Sequence, residues 1–317
     1  SELAPNASAL LNKLLPQYLD KDCIKVVEGG VPEATALLAQ RFDHIFYTGG
    51  EAVARIVMEA AAKHLTPVTL ELGGKSPCFV AADADLKVAA DRICWGKFTN
   101  AGQTCIAPDY ILVEPQAEKA LLAELRATIT DFYGDNPEQS KDFGRIINDR
   151  HHKRLCGLLE GQEAFVGGQT DEATRYIAPT VLHNVSVDSE VMAAEIFGPI
   201  LPVLVVDSAQ EAIRFINERA RPLALYIFSE SAGTQEKILR NTVSGGVCVN
   251  DTVSHFAVHG LPFGGVGNSG IGAYHGKHGF DAFSHAKSVV NRSTTVDVSL
   301  RYAPYNDLQL KIIRKVL

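Results

Sequence analysis

The chain is poor in several things, and each shortage excludes a class. Its six cysteines (Cys23, Cys78, Cys94, Cys105, Cys156 and Cys248) form no C-x-x-C pair. No His/Cys group has zinc-ligand spacing, so no metal is expected. Basic residues are in deficit, with 30 Lys and Arg against 37 Asp and Glu, a net charge of −7 and a pI of about 5.8. A nucleic-acid binder needs a basic face to neutralise phosphates, so that class is excluded. There is no internal repeat and no low-complexity run, and nothing at Ser1 reads as a signal or targeting segment. The tail from Asn306 to Leu317 carries Lys311, Arg314 and Lys315. It is too short and too charged for a membrane helix, which needs about 20 apolar residues.

What is present is ordinary globular material. The chain has 317 residues, 46% hydrophobic and 21% charged, which leaves room for two domains. Helical spacing of apolar residues predicts helices over 8–18, 32–41, 51–64, 83–98, 115–132, 150–159, 209–217 and 235–241. In the 51–64 helix the apolar stripe is Val53, Ile56, Val57, Ala60 and Ala61. Short apolar runs predict strands over 24–27, 44–47, 67–72, 77–80, 110–113, 177–182, 200–206, 225–228 and 247–250. Alternation of this kind gives a parallel α/β sheet. Cys23, Cys78 and Cys248 fall in apolar strand-like runs and Cys94 in a helix-like one, so these four read as buried small hydrophobes. Free thiols suit a reducing compartment and a cytoplasmic location.

Two stretches carry chemistry. T-L-E-L-G-G-K-S-P (Thr69 to Pro77) places one carboxylate, Glu71, in a strand that ends on glycines. N-A-G-Q-T-C-I-A-P (Asn100 to Pro108) places one thiol, Cys105, in a small and polar loop unlike the surroundings of the other cysteines. A thiol near a carboxylate is a nucleophile with a base, although a loop cysteine without a role has the same local appearance. Y-T-G-G (Tyr47 to Gly50) lies between a strand and a helix, an arrangement that presents backbone N–H groups to a phosphate; a plain tight turn is the alternative. Seven glycines fall between Pro262 and Gly279, a density that marks a loop packed close to another backbone. No G-K-S/T follows them, which argues against a nucleoside-triphosphate loop.

L-E-L-G-G-K-S-P, G-Q-T-C, E-I-F-G-P (Glu195 to Pro199) and P-F-G-G-V-G-N-S-G (Pro262 to Gly270) resemble the aldehyde dehydrogenase superfamily. I-A-P-D-Y and A-Y-H-G-K-H-G-F resemble its class 3 branch of fatty and aromatic aldehyde dehydrogenases. The resemblance runs from Ser1 to about Tyr305. S-E-L-A-P is similar to a family segment entered partway, which implies that roughly the first third of the family's polypeptide is missing. The implied fold is a parallel α/β catalytic domain with a truncated Rossmann-type NAD(P)-binding domain and a C-terminal bridging strand. The implied boundaries are residues 1–72 for the remainder of the dinucleotide-binding domain and 73–259 for the catalytic domain. Residues 260–317 then hold the glycine-rich loop, the oligomerisation strand (Ala286 to Arg292) and the tail.

The resemblance also assigns roles. Cys105 is the nucleophile and Glu71 the base for deacylation. One oxyanion donor is the Cys105 backbone N–H; the second is an Asn in the region this chain lacks. Cofactor contacts fall on Glu2, Gly49, Gly50, Val53, Leu72, Glu195 and Phe197. Glu195 would hold the nicotinamide ribose, Phe197 would back the ring, and Glu2 beside the adenosine ribose would favour NAD over NADP. Gly50 stands where Ser or Asn is common, and Ala54 where Gly is common. Thr252, Phe256 and Phe263 would line an aldehyde channel, though both phenylalanines equally suit core packing. The expected reaction is oxidation of a medium- or long-chain or aromatic aldehyde to its acid, by a homodimer. An inactive fragment or binding subunit, and a hydrolase using Cys105 and Glu71 without cofactor, are the alternatives. Leu308, Ile312, Ile313 and Leu317 are spaced for an amphipathic helix that would touch an anionic membrane weakly or lie on its own domain.

Overall fold

The computed structural model describes residues 1–297 and 301–316. It divides into two units, Ser1–Phe283 and Ser284–Leu317. In chain order the strands are β1 (Ile45–Gly49), β2 (Val68–Leu72), β3 (Pro77–Val80), β4 (Tyr110–Val113), β5 (Glu163–Val166), β6 (Thr170–Asp171), β7 (Tyr176–Ile177), β8 (Thr180–His183), β9 (Ile200–Val205), β10 (Ala224–Phe228), β11 (Gly246–Val249) and β12 (Gly270–Ile271). A seven-stranded sheet has the order β11-β10-β3-β4-β9-β8-β5, a three-stranded sheet the order β1-β2-β12, and β6 and β7 pair apart from both. In the larger sheet every pairing is parallel except β5 with β8.

The apolar runs of β3, β4 and β10 are what a sheet covered on both faces requires. Phe79, Ile111, Leu112, Leu225 and Ile227 are wholly buried. The helix Leu86–Phe98 covers one face, and Asp85 caps it by accepting from the Val88 N–H at 3.0 Å. The smaller sheet has a much smaller core, in which Ala54, Val57, Leu70 and Leu72 pack together. Only Ala54, Val57 and Ala61 of the helix Glu51–Ala62 are buried. Val53 and Ile56, from the predicted stripe, are exposed.

Several expectations need correction. Residues 24–27 form no strand; Ile24 and Val27 are exposed, and a strand exists only where a neighbour supplies its ladder. Cys23 is exposed in a turn, while Cys78, Cys94 and Cys248 are buried as expected. The single strand over 177–182 is two short ones, because Ala178–Pro179 interrupts it and proline cannot donate to a ladder. The glycine-rich stretch is more ordered than a loop. Its β12 pairs antiparallel with β2, matching Gly270 to Glu71, and Gly276–Ala282 is helical.

In the second unit, residues 286–292, expected as a strand, join no ladder among the described residues, and a strand exists only where a neighbour supplies its ladder. The tail helix is Asp307–Val316. Asn306 and Gln309 start it by exchanging side-chain bonds with each other's backbone N–H, both at 2.9 Å. Leu308 and Ile312 are exposed on it and Ile313 is half-buried; Leu317 lies outside the described residues. No helix among the described residues is long and apolar enough to cross a membrane.

Candidate active site

β2 presents Glu71 by alternation. Leu70 and Leu72 face the small core, so Glu71 between them faces the other way. Flanked in register by Thr48 of β1 and Gly270 of β12, Glu71 is 3% exposed. Neither carboxylate oxygen has a hydrogen-bond partner. Burial alone pushes its carboxyl up to about 8.

Cys105 follows a strained loop. Asn100, Ala101 and Gly102 take left-handed φ values of 53°, 52° and 73° in succession. At Gly102 an added Cβ would overlap the carbonyl oxygen of Gly198, so glycine lets this loop touch the segment that carries Phe197. Gln103 braces the turn. It donates to the carbonyls of Asn100 and Arg145, each at 3.0 Å, and accepts from the Ile147 N–H at 2.9 Å. The Tyr226 hydroxyl donates to the Ile106 carbonyl, tying the loop to β10. Burial pushes the Cys105 thiol up to about 11, and the charges of Glu195 and Glu71 add to the rise. The backbone N–H groups of Cys105 and Ile106 oppose it.

A cavity of about 620 Å³ gathers these groups. Its walls hold Cys105, Glu71, Glu195 and Phe197 together with Gly49, Gly50 and Leu72. A second cavity of about 370 Å³ shares Gly50, Leu72, Gly73 and Glu195 with it. The Glu195 carboxylate lies against the Gly73–Gly74 turn, where a Cβ at Gly73 would overlap it. Burial and then the charge of Asp109 raise the Glu195 carboxyl to about 7, while the Gly74 N–H, Lys97 and Lys75 oppose the rise. Phe197, 37% exposed, holds a left-handed φ of 48°.

Other expected residues are placed elsewhere. Glu2 lies 4.0 Å from where a Cβ of Gly30 would be, and it lines neither cavity; nor does Val53. Thr252 is wholly buried and its hydroxyl donates to the Arg92 carbonyl at 2.6 Å, which leaves no free donor for a ligand. Phe263 is 5% exposed and stacks on His275 at 5.2 Å, while the half-exposed Phe256 meets it edge-on at 5.3 Å. Sequence reasoning missed Arg154, His151 and Gln103 on the cavity wall. It also missed Lys75, Lys97 and Asp109 behind Glu195. Lys75 and Asp109 stand inside the quoted motifs, and a lysine between Trp95 and Phe98 on an apolar helix was a legible signal.

The residues present fit a dinucleotide. Gly50 lines both cavities and stands at the N-terminus of the helix Glu51–Ala62, where no side chain caps the first turn, the setting in which a helix takes a phosphate. Glu195 supplies a carboxylate acceptor on the shared wall. Among the described residues no cluster suits a metal ion.

Comparison with known proteins agrees. The model of the aldehyde dehydrogenase family matches residues 1–289. The dimeric, NADP-preferring aldehyde dehydrogenase of Canis lupus familiaris is 54% identical over 96% of this chain and 68% of its own length. Aldehyde dehydrogenase family 3 member A2 of Rattus norvegicus is 57% identical over 97% of this chain and 64% of its own. A substrate-bound Staphylococcus aureus AldH structure superposes with a TM-score of 0.97 at 47% identity, covering 100% of this chain and 69% of that one. The NAD+ complex of a Mycobacterium tuberculosis aldehyde dehydrogenase gives a TM-score of 0.81 at 30% identity, over 91% and 61%. The chain thus spans about two thirds of the length of the curated relatives it matches. By sequence and by fold, it belongs to the aldehyde dehydrogenase family.

Proposed function

We propose that the protein oxidises aldehydes to carboxylic acids with Cys105 as nucleophile and Glu71 as base. The observation that carries this reading is the placement of both on one cavity wall, with Glu71 buried and both its oxygens unpaired. The Cys105 thiol gives up its proton to solvent, its sulfur bonds to the aldehyde carbon, and the carbonyl electron pair moves onto oxygen. The Cys105 backbone N–H donates to that oxyanion. NAD(P)+, when bound, would supply the hydride acceptor that leaves the Cys105 adduct as a thioester. Gly49, Gly50, Leu72 and Glu195 would hold the cofactor, with Phe197 behind its ring. Glu71 then takes a proton from water, the water oxygen bonds to the acyl carbon, and the carbon–sulfur bond breaks to release the acid. Phe256, at the rim of an aromatic group with Phe263, Tyr274 and His275, suits an apolar or aromatic aldehyde tail.

The test is steady-state formation of reduced cofactor with hexanal and benzaldehyde, using NAD+ and NADP+ in turn. Turnover with either cofactor that requires Cys105 supports the reading. Ester hydrolysis without any aldehyde oxidation would favour the hydrolase alternative. The name of the canine relative supports a homodimer and use of NADP+ beside NAD+. Free thiols support a cytoplasmic setting, and the basic end of Asp307–Val316 supports at most weak contact with an anionic membrane surface.

A further inference from the structure

Glu195 has no regular element to hold it. The short helix Glu190–Ala193 ends two residues earlier, and Phe197 beyond it is in a left-handed conformation. Its backbone is gripped all the same. The Lys75 ammonium donates to the carbonyls of Val191 at 2.9 Å and Ala194 at 3.0 Å, and to Asp109 at 2.6 Å. Asp109 accepts the Ile196 N–H at 3.1 Å. Arg154 donates to the Ile196 carbonyl at 2.6 Å. Both neighbours of Glu195 are therefore bound to one ion pair. That pair is itself buried, with the Lys75 side chain 12% exposed and that of Asp109 4%. The wholly buried Lys97 ammonium stands 3.8 Å from the other Asp109 carboxylate oxygen, Oδ1. Lys75 also follows directly on the Gly73–Gly74 turn against which the Glu195 carboxylate lies.

We propose that Lys75 and Asp109 form a positioning clamp that fixes Glu195 for the dinucleotide. The proposal rests on the dehydrogenase reading above, since it assigns Glu195 a cofactor to hold. Lys75 stands in the turn that leads from β2 of the small sheet to β3 of the large one, and Asp109 stands immediately before β4. Multiple charge-assisted bonds to consecutive carbonyls and an N–H define one backbone geometry more tightly than a single bond can. Without them the backbone of 194–196 keeps the Arg154 bond to the Ile196 carbonyl but not the two bonds on either side of Glu195, and Glu195 loses its fixed approach to the turn.

The test is a double-mutant cycle on NAD+ affinity, read by calorimetric titration of the purified protein. Lys75→Met and Glu195→Ala should each weaken NAD+ binding about tenfold, and the double variant should be no weaker than Glu195→Ala alone, because coupled residues are non-additive. Lys75→Arg should recover part of the affinity. Ester hydrolysis by Cys105 without cofactor should fall far less than NAD+ affinity does. Additive losses, or NAD+ affinity unchanged in Lys75→Met, would overturn the clamp alone. A wild-type protein that binds no dinucleotide would overturn the reading and the clamp together. If Lys75→Met shows no cooperative unfolding transition, Asp109→Asn serves in the same cycle. It keeps an acceptor for the Ile196 N–H but removes the negative charge opposite the Lys75 ammonium, and additivity with Glu195→Ala would again overturn the clamp.

Discussion

In the seven-stranded sheet, β3, β4 and β10 are buried at every residue, whereas in the three-stranded sheet only β2 is nearly so and β1 has Phe46, Thr48 and Gly49 exposed. The first carries Cys105 through the loop that precedes β4, and the second carries Glu71. Cys105 therefore hangs from a core of many mutually packed side chains, and Glu71 from a core of four. The burial of Glu71 comes instead from its cover, in which β12 closes one side of β2. The charges of Glu71 and Cys105 both reach Tyr274 in the same glycine-rich segment, raising its hydroxyl beyond what burial does. A chemical group can thus be held away from water by loops while its supporting sheet stays thin.

The sharpest way to test this division of labour is to remove one partner from each sheet. Cys105→Ser should lower aldehyde oxidation on the order of 10⁴-fold, because a hydroxyl has no accessible anion at neutral pH. Retained formation of reduced cofactor would remove the larger sheet's contribution from the chemistry. Glu71→Gln should lower the steady-state rate about 10²-fold yet keep a first-turnover burst of reduced cofactor. The wild-type rate should rise with pH through about 8, as Glu71 becomes the carboxylate that accepts a proton, and the variant should lack that rise. Absence of the burst in the variant would place Glu71 in acylation as well.

The same residue gives a stability test. The folded carboxyl titrates above its ordinary value, so its stabilising effect is complete below about 4.5 and is lost as pH rises to about 8. Glu71→Gln should therefore melt higher than the wild type at pH 9 and not at pH 4. Equal melting temperatures at pH 9 would mean that water reaches the carboxylate. The packing contrast predicts that one chemical change costs different amounts in the two sheets. Leu112→Ala, in β4, should destabilise by about 4 kcal/mol, and Leu70→Ala, in β2, by about 2 kcal/mol, since a thin core collapses around the cavity more readily. Denaturant midpoints would show it, and equal losses would refute the contrast.

The smallest expected effect concerns Cys105 itself. Burial dominates its raised thiol, and the charge of Glu195 comes second. Glu195→Gln should speed alkylation of Cys105 by iodoacetamide at pH 8 only a few-fold, about what removal of one nearby charge gives. A slower reaction would reverse the assigned sign.

Much of this molecule was legible in its order of residues. The apolar runs at Pro77–Val80, Tyr110–Val113 and Ala224–Phe228 determined a parallel sheet, because strands covered on both faces cannot alternate. Glu71 and Cys105 stood out by type and by neighbours, and the quoted motifs gave the family. Tertiary structure alone decided what pairs with what. That the 24–27 run stays unpaired and that Gly270 joins β2 depend on which neighbours are present, which no local pattern records. The resemblance put Thr252 on the aldehyde channel, but its hydroxyl is taken by the Arg92 carbonyl, more than a hundred residues away in sequence. The grip of Lys75 and Asp109 on the backbone around Glu195 likewise joins three distant stretches. The chain's period tells which face a side chain takes, and only folding tells what waits on that face.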